Sequence, residues 1–547
     1  MRTPRPVHGA VYSHVLPEHC PASPSVLSIS KPACDAIDLD YAQIHQHEFA
    51  QVFSGNKILP GTRPWSLCYG GHQFGFWAGQ LGDGRAISLF ETINSKNESW
   101  EIQLKGAGRT PYSRFGDGYA VLRSSIREYL MSEHMHALGV PTTRALGLIT
   151  TEREVYRDDG PRDRQPEDGA VVARMAPSWL RFGNFEIFYS RDDMDNIRRL
   201  ADYAIENVIG DEEVAGSGNR YARFFKSVVK RTATMVAEWQ AIGFNHGVMN
   251  TDNMSILGLT MDYGPFQIMD YYNPLYICNH SDEAGRYAFH RQPSVCMFNL
   301  VKFSMPLFEL IGAGEEVDSL VFPKEGDREN ATDEETLEKY RSTAKEFVQE
   351  VLNTEFKGWF MDRLLYKSSQ KIGLDVEKRK PTSDDMEGVI VPLLDWLTDY
   401  QVDYHRFYRS LSNYKITSAG EDKDAQDAID QHLVIITQDA SLLADCKEAL
   451  KPWLSIYRHR LLDDAVDCSK RKERMDAVNP RFVLRNSIAQ DVIDAFEGDS
   501  KSDATSALNA CFAACIDPFK EHYDNPLIEK WIAQLVPDED LRCSCSS

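Results

Sequence analysis

The chain has 547 residues, 42% hydrophobic and 26% charged, which suits a globular protein of two to four domains with ample core. Its 82 acidic residues outnumber 60 basic ones, a formal charge of −22, which argues against a phosphate-backbone-binding face, so no nucleic-acid partner is expected, though the balance leaves room for a local basic cleft. The most apolar run, residues 298–312, falls short of the roughly 20 residues a membrane helix needs and is broken by Lys302 and Glu309, so no membrane partner is expected either.

The eleven cysteines show no paired CxxC spacing of a zinc site and read mostly as reduced core residues. The start, Met1-Arg2-Thr3-Pro4-Arg5-Pro6, is basic but lacks an apolar signal core or a long amphipathic segment. A transit peptide is expected to be absent or already removed.

Residues 1–65 are rich in Pro and small polar residues and read as an extended arm packed on a first lobe, residues 66–185. That lobe opens with a run from Cys68 to Arg85 that holds six glycines between Gly70 and Gly84. Glycine lets backbone amides turn toward an anion. Alternation over 86–91 predicts a strand directly after it. A glycine loop that feeds a strand fits a phosphate-covering loop better than a Rossmann turn, which opens a helix; an ordinary Gly-rich hairpin fits too. His72 reads as a hydrogen-bonded structural histidine before it reads as a ligand.

Residues 100–105 alternate cleanly, with Trp100, Ile102 and Leu104 on one face and Glu101, Gln103 and Lys105 on the other. Lys105 thus ends a strand on its polar face. After Gly116-Asp117-Gly118, the spacing of Leu122, Ile126, Tyr129, Leu130 and Leu138 predicts a helix over 121–138, stopped by Gly139 and Pro141. Glu128 lies on it. A strand lysine followed by a helix glutamate is the kinase ion pair that positions nucleotide phosphates. A charged loop, 157–169, leads to a strand at 171–174 and a turn at Pro177, flanked by Arg174 and Arg181. Arginine suits phosphate forks; two surface arginines paired with nearby acids fit equally.

Residues 192–242 are helical in pattern, broken by a loop at 210–219, and open a second lobe, residues 186–320. They lead to Asn245-His246-Gly247-Val248-Met249-Asn250-Thr251-Asp252-Asn253-Met254 and then Met261-Asp262-Tyr263-Gly264-Pro265. The apolar link 255–260 predicts a short buried strand and a hairpin that brings Asn253 to Asp262. One amide carbonyl and one carboxylate suit magnesium, which fills its shell with water and phosphate oxygens. Protein kinases carry His-Arg-Asp, an Asn five residues after that Asp, and then Asp-Phe-Gly. Here Asn253 stands five residues after Val248, and Asp262-Tyr263-Gly264 follows. The kinase base position holds Val248, which accepts no proton, while an acid appears at Asp252. Alternatively Asp252 and Asn253 make a polar turn. In the polar loop beyond, Gly285-Arg286-Tyr287 reads equally as substrate-binding or loop-stabilising. Residues 321–547 read as a helical extension that ends in Cys543-Ser544-Cys545, two thiols that could form a strained disulfide, bond another cysteine or belong to an inert tail.

GHQFGFWAGQLGDGR, QLKGAGRTPYSR, VLRSSIREYL, GVPTTRA and NTDNMSILGLTMDYGPF, spread between Pro6 and Pro293, closely resemble the selenoprotein O family of pseudokinase-fold protein adenylyltransferases. The resemblance implies an α+β, kinase-like two-lobe fold. It implies transfer of AMP from ATP to Ser, Thr or Tyr hydroxyls of protein substrates, with ATP bound inverted relative to a kinase and pyrophosphate released. By resemblance Gly82, Gly84, Arg85 and Lys105 hold phosphates, Glu128 orients Lys105, and Asp117 and Gly118 contact the nucleotide. Arg174 and Arg181 grip the phosphates, Asn253 and Asp262 carry Mg2+ (or Mn2+), and Asp252 is the base. Cys545 stands where eukaryotic members often have selenocysteine, which implies a mitochondrial location, with the cytoplasm as alternative, and a redox role for Cys543 and Cys545. The competing readings are a protein kinase, a UMP transferase and a redox-sensing nucleotide-binding pseudokinase.

Overall fold

A computed structural model describes residues 2–20, 22–157, 166–210, 214, 216–323, 331–415, 433, 441–464, 467–498 and 500–534. Cys543 and Cys545 lie outside the described residues, as does the acidic stretch at 421–424.

The fold is α+β. Its sheet runs in the order β1 (Tyr12–His14), β3 (Trp65–Leu67), β6 (Ala86–Ile93), β7 (Ser99–Lys105), β10 (Glu167–Ala176), β9 (Arg144–Val155) and β2 (Ser25–Ile29), with every pairing antiparallel. β8 (Ala120–Val121) adds to β10. A two-stranded hairpin, β4 (His72–Gln73) and β5 (Phe76–Trp77), stands apart from it. Side chains alternate across a strand, so one sheet has two different faces. Ile102 and Leu104 of β7 and Val171, Ala173 and Met175 of β10 pack against Cys34, Phe49 and Phe53 of α1 (Lys31–Ala36) and α2 (His47–Phe53). The opposite face of β10 meets α3 (Leu122–Ala137) through Ala170 and Val172 beside Ile126 and Leu130. That face also carries Gln103, Lys105 and Arg174. A slip of one residue would turn these polar side chains into the apolar layer, so the register is strongly specified.

The arm expected over 1–65 is more than an arm: it supplies β1 and β2 to the two edges of the sheet and both helices of its apolar face. Beyond the sheet come α4 (Phe182–Tyr189), α5 (Met194–Ala204) and the long helix Arg220–Ile242, which starts on an Asn219 cap and ends at Gly243 in the left-handed region. Its faces bury Phe224, Phe225, Val228 and Trp239. From Glu334 onward the described regular elements are all helical. They are not a loose appendage. Val492, Leu508 and Phe512 share one core with α3, Phe512 stacks on Tyr129 at 5.0 Å, and Arg127 donates to Asn486 at 3.0 Å. A second core forms around Leu393, Trp453 and Tyr457.

The helical run Phe289–Gly312 is, by length and composition, long and apolar enough to cross a membrane, contrary to the sequence expectation. Its most apolar 18-residue window is nevertheless 61% buried inside the protein, and Val295, Leu300, Phe303 and Leu307 of the run lie in the main core.

Candidate functional site

Alternation in β7 and its pairing with β10 build the back wall of a cleft. Arg174 stands opposite Gln103 and Val172 opposite Lys105, so Gln103, Lys105 and Arg174 share a face. Gln103 Oε1 accepts from Arg174 Nε at 3.0 Å and Nη2 at 2.7 Å, fixing the guanidinium plane, which also lies 4.3 Å from the Trp179 ring. α3 delivers Glu128 between the two cations. Its Oε2 is 2.5 Å from Lys105 Nζ, and its Oε1 accepts from Arg174 at 2.9 Å. Burial pushes Lys105 below its usual value, while Glu128 and Asp262 pull the other way.

The front of the cleft comes from two loops. Asp262 sits in the left-handed region at φ 56°. It accepts from Arg174 on Oδ1 and from Arg181 on Oδ2, both at 2.6 Å, with Lys105 3.7 Å away. Burial would raise its pKa; Arg181, Arg174 and Lys105 outweigh that and hold the carboxyl well below the usual range. Asp252 is only 8% exposed, and among the described residues no cation donates to its carboxylate. Its Oδ2 accepts from Gln73 Nε2 at 3.2 Å, and its buried Oδ1 has no hydrogen-bond partner. Burial raises this carboxyl to about 7, although Gln73 and Arg181 oppose it.

The link between the loops is not the expected strand. Ile256 and Leu257 form a buried turn, and the segment is held instead by isolated bridges from Ser255 to Arg181 and from Thr260 to Thr142. The bridge to Arg181 matters, because Arg181 Nη1 also donates to the Asp252 carbonyl at 2.7 Å. Arg181 thus ties the Asp252 and Asp262 loops together.

Lys105, Arg174, Asp252, Asn253 and Asp262 line one cleft of about 740 Å³ with Gly82, Gly84, Arg85, Asp117 and Gly118. Glu128 and Arg181 stand behind its wall. The Gly-rich run divides in two: residues 82–84 turn into the cleft, whereas the hairpin β4–β5 lies against the Asp252 loop. Gly82 has φ 123°, and a Cβ there would lie 2.5 Å from the Tyr112 ring, so only glycine keeps this turn. Asp83 faces inward and accepts the Leu67 N–H at 3.0 Å. Asp117 accepts from Arg157 at 2.7 Å and from the Tyr119 N–H at 3.0 Å; burial raises its pKa, but these bonds bring it below the usual value. His72 is structural, paired with Glu186 at 2.7 Å.

Gln103 and Arg157 are the site residues that sequence reasoning missed. Gln103 was visible as a member of the polar face of β7; nothing local marks Arg157. Five cations, Arg85, Lys105, Arg114, Arg157 and Arg174, line this cleft in a chain of charge −22, which suits a polyanionic ligand.

A family profile described as "Protein adenylyltransferase SelO" matches residues 7–513. The chain belongs to the SelO family. Among its relatives, the "Protein nucleotidyltransferase YdiU" of Azoarcus sp. (strain BH72) is 40% identical, over 99% of this chain and 95% of that protein. The same-named protein of Aromatoleum aromaticum is 41% identical, over 99% and 94%. That of Myxococcus xanthus is 38% identical, over 91% and 89%. These SelO relatives are bacterial.

Among the described residues no cluster of three or more His, Cys, Asp or Glu could hold a metal alone. In this SelO chain a cation would rest on few protein oxygens, and two side chains offer suitable ones. Asn253 spends its Nδ2 on the Val248 carbonyl at 3.0 Å, which frees Oδ1, and each Asp262 oxygen keeps a lone pair beyond its arginine. That donor set fits a hard cation whose remaining ligands are phosphate oxygens and water.

Proposed function

We propose that this chain transfers the adenylate of ATP to Ser, Thr or Tyr hydroxyls of proteins. Membership in the SelO family supports the reaction class. The observation that carries the reading is Asp252: a buried, partly unpartnered acid in a cation-lined cleft, in a chain whose kinase base position is Val248. On this reading the sheet and the helical base act as kinase-like lobes around the cleft.

ATP enters reversed relative to a kinase. Its outer phosphates go to Lys105, Arg85, Arg174 and the 82–84 turn; its α-phosphate lies toward Asp252. Asp117 and Gly118 contact the nucleotide, with Arg157 fixing Asp117. Arg181, behind the wall, serves the phosphates by holding Asp262 rather than by touching them. The acceptor oxygen attacks the α-phosphorus in line and its proton passes to the Asp252 carboxylate. The bond from the α-phosphorus to the bridging oxygen breaks, and pyrophosphate leaves with the electron pair toward Lys105, Arg85 and Arg174. Asn253 and Asp262 would hold magnesium or manganese, which supplies neutralisation of phosphate charge.

Incubation with α-labelled and γ-labelled ATP tests the reading. Label is expected on protein from the α position alone, and to vanish with chelator. Label from the γ position alone would identify a kinase. Competition by unlabelled UTP separates AMP from UMP transfer.

A further inference from the structure

The hairpin β4–β5 is built into the catalytic loop yet leaves its aromatic side chains in solvent. The His72 N–H donates to Thr251 Oγ1 at 2.7 Å, Gln73 to Asp252 Oδ2 at 3.2 Å, and the Phe74 N–H to Tyr287 Oη at 2.9 Å. Tyr287 in turn donates to Asn250 at 2.6 Å. Three successive hairpin residues are thus registered on residues 250–252. Gly71 lies so close that a Cβ there would sit 2.7 Å from Asp252 Oδ1. The turn between the strands, Phe74-Gly75, has φ 50° and 92°, the left-handed pair of a tight hairpin turn. A phenylalanine held there is strained. The fold maintains this strain while Phe76 remains 80% exposed and Phe74 and Trp77 remain 37% and 40% exposed.

Beside the hairpin runs a groove of about 510 Å³ lined by Phe74, Phe76, Arg286, Arg291 and Phe298. The Arg286 guanidinium lies 4.7 Å from the Phe298 ring, against Gly75, and its buried Nε has no hydrogen-bond partner among the described residues. Lys302 approaches the same ring at 5.4 Å. The groove's one lining acid, Asp282, is 3% exposed and spends both oxygens on the Arg286 and Tyr287 N–H groups. The surface is therefore aromatic and basic in a chain of charge −22.

The geometry points to this hairpin and groove as the docking surface for the acceptor segment of the protein substrate, an extended stretch with an apolar and an acidic side chain beside the hydroxyl. The inference rests on the transfer reading above. Gln73 Nε2–H occupies the hydrogen-bond position on Asp252 that the acceptor O–H takes in the reaction, so Gln73 holds that place until the acceptor arrives. Apolar and acidic neighbours of the hydroxyl then meet Phe76 and Arg286–Arg291, in a groove joined to the base through the hairpin, whose Phe74 lines the groove and whose Gln73 touches Asp252.

Two dye-labelled tyrosine peptides test this, identical except that Glu or Lys stands beside the apolar flanking residue. Fluorescence anisotropy with the full chain is expected to show the Glu peptide binding about tenfold tighter, against the overall charge of the protein. Arg291→Glu is expected to reverse the ratio, and Phe76→Ala to weaken both peptides about fivefold while ATP binding holds. Equal binding of the two peptides, or an unchanged ratio in Arg291→Glu, overturns the proposal. The readout is indifferent to which phosphorus is transferred: γ-label transfer would defeat the adenylyl reading, yet the peptide ratio would still decide the docking surface.

Discussion

Two loops close the front of the cleft, and each brings one aspartate to it. The Asp262 loop faces the sheet, and its carboxylate is gripped by Arg174 and Arg181 at 2.6 Å each. The Asp252 loop faces the hairpin, and its carboxylate meets one neutral amide, from Gln73. Asp252 is buried and Asp262 half-buried; desolvation is outweighed by cations at Asp262 and prevails at Asp252. The same side chain is therefore a fixed anion in one loop and a proton acceptor poised near neutrality in the other. Neighbours, not residue type, assign the roles.

The sharpest way to break this comparison is to remove the acceptor. Asp252→Ala is expected to lower AMP transfer by about a thousandfold, within the range for loss of a general base. ATP affinity should hold, because the cations proposed to hold the phosphates lie on the sheet side. Transfer from α-labelled ATP and a nucleotide titration check the two halves. A variant that keeps wild-type turnover would leave Asp252 without a role.

The second way is to cut the tie between the loops. Arg181 holds the Asp252 carbonyl and the Asp262 carboxylate from behind the wall, 1% exposed. Arg181→Ala leaves Asp262 with fewer cations and leaves Asp83 without its guanidinium neighbour 3.8 Å away. Breaking a buried pair in this way costs about 3–5 kcal/mol. Arg181→Lys should recover part of the stability and little of the activity, since one ammonium cannot reproduce the planar bridge between loops. Chemical denaturation and transfer rates on both variants measure this.

The sequence carried much of this architecture and lost a definable part. The alternation at 100–105 put Gln103 and Lys105 on one face, and the predicted helix at 121–138 matches α3, Leu122–Ala137. Both signals are local. β9, the longest strand at 12 residues, went unread because it is buried on both faces over most of its length and so lacks an apolar–polar period. The Gly-rich run reads as either a phosphate loop or an ordinary hairpin because glycine spacing does not say which turn folds onto which partner; here it holds both a turn at the cleft and a hairpin, with Gly71 going to Asp252 and Gly82 to Tyr112. Arg174 and Arg181 were legible as arginines beside a turn. Their targets, Asp262 at 88 and 81 residues' separation, are set by tertiary packing and leave no trace in local pattern.

The finest comparison is one of slopes, because the two acids oppose in sign. It is measured on metal-free protein in chelator, so that no cation sits beside either acid. Asp252 has a folded-state pKa raised to about 7, above its unfolded value of about 3.9. Between those values the folded state binds the extra proton, so stability falls as pH rises through that window, by roughly 4 kcal/mol. Asp262 is held well below the usual value, so it is the unfolded state that takes up the proton first. Its contribution is present above the unfolded pKa and is lost as pH falls toward the folded one. Asp252→Asn should therefore flatten the decline between pH 4 and 7, whereas Asp262→Asn should remove stability at pH 7 and soften the acid limb below pH 4. Urea titrations across pH 3 to 8 resolve the two slopes. If both variants moved stability in the same direction with pH, the contrast between the loops would come from position in the cleft and not from the cations that face it.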